Sequence, residues 1–261
     1  MDPAELDRYA RHIVLREIGG AGQARLRHAR VAVVGAGGLG APLCLYLAAA
    51  GIGHITLIDD DRVSLSNLQR QVIFATSDIG QPKVLAAQAT LAALNPGVSV
   101  QPVQLRLTDE NAAELLAGHD LVLDGSDNFA TRYLVNATCV ALKTPLLAAA
   151  MSQWEGQMSL YHPAKGAPCY ACIFPEAPAP GLVPNCSEAG IVGALAGVMG
   201  SMMALEAVKF IAQAGGASLA GRMTIYDGLW GEARSLTVAR RAGCSVCAGH
   251  GPETAAPAPS A

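Results

Sequence analysis

The sequence predicts an α/β fold: a doubly wound, Rossmann-like, mostly parallel sheet with a C-terminal mixed or antiparallel extension and a structural zinc clip. Three observations carry the prediction. Short apolar runs alternate with Ala- and Leu-rich helical stretches over residues 31–150. A glycine-rich turn joins the first run to the first of these helices. Beyond Met151 the alternation stops, and that half holds two Cys-x-x-Cys pairs. Alternating strands and helices build a parallel sheet because each crossover lays a helix on one sheet face.

The elements follow in order. Residues 1–30 are charged and helical in pattern, with Leu6, Tyr9, Ile13 and Leu15 expected to pack. Residues 31–34 form a strand, Gly35-Ala-Gly-Gly-Leu-Gly40 a turn, and the next residues a helix through Ala50. Residues 54–59 are the second strand. A helix over 83–94 is stopped by Asn95-Pro96. Residues 98–107 alternate as a strand, and 121–123 form a buried strand ending at Asp124. Residues 128–142 are helical and 145–150 a strand. Further strands are expected at 158–162, 223–226 and 235–238, with a long helix over 190–212. The Pro/Ala-rich stretch 174–185 reads as a mobile loop, and 251–261 as a disordered tail. Residues 1–250 are expected to form one domain: N-terminal helices (1–30), a nucleotide-binding half (31–150) and a second half (151–250).

Composition excludes several classes. With 51% hydrophobic and 15% charged residues, the chain has enough apolar surface to offset ordering entropy, so it is not disordered throughout. Its 18 basic and 21 acidic residues leave a net charge of −3, which creates no long-range field for nucleic acid. The first 20 residues contain acids and no apolar segment of signal-peptide type. Residues 189–205 lack charge but are short for a membrane span and hold four glycines. They read as a buried helix at a subunit interface, and the protein as cytoplasmic.

Gly35, Gly37 and Gly40 fit G-x-G-x-x-G between strand and helix. The first glycine permits the tight turn, the second lets backbone approach a phosphate, and the third allows close helix packing. Asp59 ends the next strand, where an acid accepts hydrogen bonds from ribose hydroxyls. NAD, FAD and ATP all fit so far. The segment after Asp59 then supplies Asn67, Arg70 and Lys83, and two cations suit a triphosphate better than a dinucleotide. Asp127, in Asp124-Gly-Ser-Asp-Asn128, follows another buried strand and is a candidate Mg²⁺ ligand. Asp124 or Asn128 could instead cap the next helix.

Cys169, Cys172, Cys244 and Cys247 form the two Cys-x-x-Cys pairs, with 71 residues between them. Four thiolates make a tetrahedral zinc site; redox disulfides are the alternative. Cys44 and Cys139 fall on expected helices as core residues. Cys186 precedes the long helix, where a helix dipole favours a reactive thiolate.

Together these residues resemble the MoeB/ThiF family, relatives of the ubiquitin-activating enzymes. The likeness runs from Arg8-Tyr-Ala-Arg11 to Cys247. It includes the glycine turn, Asp59-x-Asp-x-Val63, Ser66-Asn-Leu-Gln-Arg-Gln71, Asp78-Ile-Gly-Gln-Pro-Lys83, Asp127-Asn-Phe-Ala-Thr-Arg132 and Pro168-Cys-Tyr-Ala-Cys172. The resemblance implies an enzyme that binds ATP·Mg²⁺ and adenylylates the C-terminal glycine of a small ubiquitin-like sulfur carrier. The molybdopterin branch is the nearer likeness, and the thiamine branch is the alternative. It places Gly38, Asp59, Asp61, Ser66, Asn67, Leu68, Gln69, Arg70, Lys83, Asp127 and Asn128 at the nucleotide. It also implies a homodimer, with Arg11 reaching the partner's phosphates, and a carrier-binding role for residues 151–250. Cys186 matches a loop cysteine that in some relatives links to the carrier. Ala171 stands where the family is usually basic and is expected at the surface, and Met202-Met203 stands where Gln is common. No sulfurtransferase domain follows Cys247, so a separate protein is expected to supply sulfur. Two other classes compete: an NAD-dependent oxidoreductase, which lacks an evident hydride-site His here, and a non-catalytic module, which would not need Arg11, Arg70, Lys83 and Asp127 together.

Overall fold

The computed structural model describes residues 1–179, 190–215 and 219–250. Its centre is an eight-stranded sheet in the order β3-β2-β1-β4-β5-β6-β7-β8. The strands are β1 (Arg30–Val34), β2 (His54–Ile58), β3 (Ser99–Val103), β4 (Leu121–Asp124), β5 (Leu146–Ser152), β6 (Glu155–Tyr161), β7 (Arg222–Asp227) and β8 (Glu232–Thr237). The first five are parallel to one another, and β5 through β8 pair antiparallel. The mixed sheet expected from the sequence is present, with the change of direction after β5.

β1 sits between β2 and β4, so both its faces need cover. Its side chains alternate accordingly. Val31 and Val33 join one buried cluster with α3 (Gly19–His28), α4 (Gly40–Ala50), α5 (Lys83–Leu94) and α9 (Gly193–Ala212). Ala32 and Val34 join another with α6 (Ala112–Leu116) and α7 (Phe129–Ala141). This is the double winding in physical form: successive apolar residues feed opposite helical layers.

α9 is apolar and, at 20 residues, long enough to cross a membrane, but half of its most apolar window is buried within the fold. Small residues let it approach closely. A Cβ on Gly200 would crowd the Leu39 carbonyl, and Met199 fills the space above Gly156 of β6.

Several expectations are corrected. Of the four N-terminal packing residues, only Tyr9 is buried; Leu6 and Leu15 are nearly half exposed and Ile13 is partly buried. The segment forms α1 (Pro3–Arg8), α2 (Ala10–Ile13) and α3, and the first two are too short to hold a continuous apolar face. Tyr9 goes in because Gly51 leaves room for its ring and Asn95 Nδ2 donates to its hydroxyl at 2.8 Å. β3 stops at Val103, just after Pro102, which has no N–H to give the ladder; Leu107 is instead buried in the second cluster. α6 was not expected, because five residues cannot display a helical period. Part of the Pro/Ala-rich loop and all of the 251–261 tail lie outside the described residues.

Candidate nucleotide and metal sites

The glycine turn lies at the C-terminal end of β1 and runs into α4. Gly35 has φ +93°, a left-handed conformation that glycine adopts without strain. A Cβ on Gly40 would overlap the Gly35 carbonyl, so the turn can close only with glycine there. A Cβ on Gly37 would meet only Gln71 Nε2, at 3.8 Å, which leaves its backbone open to a ligand. Gly38 lies beside Met151 and the Arg70 side chain.

Asp59 follows β2 and faces this turn. Its Oδ2 accepts from Ala36 N–H at 2.7 Å and its Oδ1 from Asp61 N–H at 2.9 Å. Burial pushes its carboxyl up, while Lys83 and the two N–H donors oppose that shift. Each oxygen keeps a second lone pair, as a ribose hydroxyl would need.

Lys83 opens α5 with its side chain only 6% exposed, and its Nζ is 2.8 Å from Asp61 Oδ2. The Ser64–Asn67 turn is closed by Asn67 Oδ1, which accepts from Ser64 N–H at 3.1 Å. Arg70 Nη1 donates to the Ser66 carbonyl at 3.0 Å, which folds its stem back toward Gly38. Leu68 packs against the core, and Gln69 abuts Gly193 at the start of α9.

The third contribution comes from β4. Asn128 caps α7 through its Oδ1, which accepts from Thr131 N–H at 2.9 Å. Asp124 does not cap α7; its Oδ1 accepts from Ser126 N–H at 2.9 Å. Asp127 is exposed and, among the described residues, has neither a cap bond nor an ion pair. A carboxylate free of protein partners at a strand end fits a Mg²⁺ ion, which keeps waters and shares phosphate oxygens. Gly35 and the Gly125–Ser126 backbone lie about a van der Waals contact apart, so the first and fourth strands bring their loops into one crevice.

Arg11 stands elsewhere. α2 lies by Gly51 and Ala50, since Tyr9 packs on the former and His12 Nδ1 meets Gln23 Oε1, whose amide donates to the Ala50 carbonyl. That is the far end of α4, roughly 16 Å from its glycine-rich start at 1.5 Å per residue. The structure thus gathers the glycine turn, Asp59, Arg70, Lys83 and Asp127, and keeps Arg11 of the same chain apart.

Two residues of interest escaped the sequence reading, and a third, Asp124, was expected only as a helix cap. Gln71 is buried beside Gly37, and among the described residues its Oε1 has no hydrogen-bond partner. Asp124 is 1% exposed, and burial pushes its carboxyl up against the Ser126 N–H and hydroxyl and the Arg132 charge. Arg132 binds the Ser126 carbonyl from α7. Gln71 and Arg132 stood inside quoted motifs, but only the fold shows what they face.

The four paired cysteines converge. Sγ separations are 3.8 Å for Cys169–Cys172, 3.7 Å for Cys169–Cys244 and 3.5 Å for Cys172–Cys247. A tetrahedron with metal–sulfur bonds of about 2.3 Å has edges of about 3.8 Å, so the spacing fits one metal ion and is too long for disulfides. Burial pushes the Cys169 and Cys247 thiols up, but at Cys244 the N–H groups of Cys247 and Val246, with the neighbouring Cys169 and Cys247 thiols, outweigh it and bring the thiol down to about 6. Ala171 is 2% exposed, packed with Val140 and the cysteines, which corrects the expected surface position. The knuckle helix α8 (Tyr170–Ile173) turns that side chain inward onto α7. Cys44 and Cys139 are buried as expected, and burial pushes the Cys44 thiol up to about 12. Cys186 lies outside the described residues.

Comparison with known proteins agrees with this arrangement. The ThiF family model matches residues 9–246. The chain is 50% identical over 247 residues to the sulfur carrier protein adenylyltransferase of Thermus thermophilus, covering 93% of this chain and 91% of that one. It is 44% identical over 249 residues to the sulfur carrier protein ThiS adenylyltransferase of Escherichia coli, covering 95% and 98%. It is 45% identical to the adenylyltransferase and sulfurtransferase MOCS3 of Anopheles gambiae, of which it spans 55% of the length. Among solved structures, E. coli MccB with ATP superposes with a TM-score of 0.80 at 25% identity, covering 92% of this chain and 74% of that one. From the glycine turn to the second cysteine pair, the chain belongs to the ThiF family.

Proposed function

We propose that this adenylyltransferase moves the adenylyl group of ATP onto the C-terminal glycine carboxylate of a small ubiquitin-like sulfur carrier. The observation that carries this is the gathering of an open glycine turn, two cations and a free carboxylate in one crevice at the strand ends. The names of the relatives supply the acceptor class.

The carrier carboxylate is ionised at neutral pH and is itself the nucleophile, so no general base is needed. Its oxygen bonds to the α-phosphorus as the bond to the bridging β-phosphate oxygen breaks, giving acyl-AMP and pyrophosphate. The protein's task is positioning and charge neutralisation. Gly35, Gly37, Gly38 and Gly40 shape the phosphate cradle. Asp59 holds the ribose, with Asp61, Ser66, Asn67, Leu68, Gln69 and Asn128 completing the nucleotide wall. Arg70 and Lys83 meet the departing pyrophosphate, and binding ATP draws Lys83 partly away from Asp61. Mg²⁺, held by Asp127, would neutralise phosphate charge when bound.

Zn²⁺ fits the four-cysteine cluster by spacing and ligand type, and all-thiolate ligation suits a reducing cytoplasm. Residues 1–250 then act as one catalytic unit, with a separate sulfurtransferase acting on the acyl-adenylate. The separation of Arg11 from its own crevice fits a homodimer in which it serves the other subunit. Exposed Tyr46 and Leu205 line a cavity of ≈ 310 Å³ on that side together with His12 of α2, an apolar face a second copy would cover. Cys186 is reserved for a covalent carrier step. The molybdopterin carrier is the favoured acceptor on the motif resemblance, and the thiamine carrier is the second reading, with a relative named for the carrier ThiS beside it. Carrier-dependent ATP–pyrophosphate exchange, run with each carrier separately, tests the proposal. Exchange with either carrier supports it; none with both removes it.

A further inference from the structure

Ser126 is held from both sides. Its N–H donates to the buried carboxylate of Asp124 at 2.9 Å. Its carbonyl accepts from Arg132 twice, from Nε at 3.3 Å and Nη2 at 2.9 Å. Asp127 is the next residue, so the two peptide groups that flank Ser126 set the backbone from which its carboxylate projects. Arg132 is itself fixed, with its guanidinium carbon 5.6 Å from the Phe129 ring centroid.

Asp124 is buried at 1% exposure. Burial pushes its carboxyl up, while the Ser126 N–H, the Ser126 hydroxyl and the Arg132 charge oppose that shift. The outer wall comes from the cysteine knuckle. Tyr170, Tyr161 and Phe174 line a small recess together with Arg132 and the alanines at 148–150. Tyr170 N–H is held by Asn136 Oδ1 of α7 at 2.8 Å, so the knuckle and the clamp share one helix.

We infer that Arg132 is a positioning residue: with Asp124 it fixes the Ser126–Asp127 peptide and so aims the Asp127 carboxylate at the Mg²⁺-bound triphosphate. This rests on the adenylyltransferase reading given above. Arg132 touches no reacting atom. Displacing a group by about 1 Å costs on the order of 100-fold in rate.

The test uses the full chain with Arg132→Ala, Arg132→Lys and Asp127→Ala. Carrier-dependent ATP–pyrophosphate exchange is measured against ATP and Mg²⁺ concentration, with a thermal melt of each variant. For Arg132→Ala, kcat should fall about 100-fold with KM for ATP within about threefold, because transition-state alignment and not ground-state binding is lost. Half-saturating Mg²⁺ should rise. Arg132→Lys keeps the charge but not the double donation, and should recover part of the rate. Unchanged kcat and Mg²⁺ dependence in Arg132→Ala, with Asp127→Ala inactive, would overturn the inference while leaving the enzyme assignment standing. A rate loss matching only the unfolded fraction of both Arg132 variants would overturn it too. If the wild-type chain shows no exchange, the assignment itself fails. Calorimetry of ATP with and without Mg²⁺ then decides the clamp: lost Mg²⁺ enhancement in Arg132→Ala supports it, and retained enhancement overturns it.

Discussion

The two halves of the sheet are built on different principles. From β1 to β5 the strands run parallel, and each of β1 to β4 is followed by a helix, or by a loop and a helix, so structure follows local pattern. From β5 to β8 the strands pair antiparallel, and β7 joins β6 across 60 residues that hold the cysteine knuckle and α9. The first half offers a crevice at strand ends, whose groups come from nearby segments. The second gains its four-cysteine cluster only when residues 169–172 and 244–247 meet. The groups proposed for catalysis thus sit on the self-consistent half, and the four cysteines offer a staple for the half built from distant contacts.

The largest expected effect separates the halves directly. Cys169→Ser or Cys244→Ser should lose the metal, counted as one zinc per chain by elemental analysis. The melting temperature should drop by about 10 °C or more, because structural zinc contributes folding energy outright. ATP affinity of the surviving folded protein should fall far less. A variant that loses zinc without losing stability would make the staple dispensable.

Within the first half, Asp127→Ala should lower carrier-dependent exchange by about 1000-fold, the scale for removing a preorganised charge stabiliser, with the melting temperature little changed. Wild-type exchange would remove Asp127 from the mechanism. Lys83→Met should cost about 100-fold in the same assay. It also frees Asp61, which is 67% exposed and solvated, so stability should hold in a thermal melt.

The smallest effect lies at the opposite end of the parallel half. Thr56 Oγ1 is 2.9 Å from His119 Nε2 and 3.4 Å from His54 Nε2. Burial holds both imidazoles below their ordinary value, helped by Arg30; for His119, the Leu116 carbonyl and Asp120 oppose it, and for His54, Gln101 does. The unfolded chain therefore binds more protons in the window below about pH 6.5. Stability should rise with pH across that window and be lost as pH falls through it. Between pH 7.5 and 5.5 the melting temperature should drop by about 3 °C from this source, a drop that His119→Asn reduces. An unchanged slope in the variant would exclude the pair.

Much of this was legible in sequence where the cause is local. Gly35 and Gly40 are dictated by a turn that closes within six residues, and α5 runs over the residues its pattern gave, ended by Asn95-Pro96. The cysteine spacing announced a four-thiol site because no other use of two such pairs fits as well. The rest needed the fold. Whether Asp124, Asp127 or Asn128 caps α7 depends on side-chain direction, and the answer, Asn128, is what leaves Asp127 free. Ala171 was misjudged because only the assembled knuckle shows that it faces Val140. Arg132 and Gln71 gain meaning from partners or missing partners far from any periodic signal.

The central claim is the chemistry of the crevice. The most direct measurement is intact mass spectrometry of each candidate carrier after incubation with the protein, ATP and Mg²⁺. The account predicts a carrier heavier by one adenylyl group, reverting on addition of pyrophosphate and absent with Asp127→Ala. Carriers that all keep their original mass in the presence of folded, ATP-bound protein would contradict it.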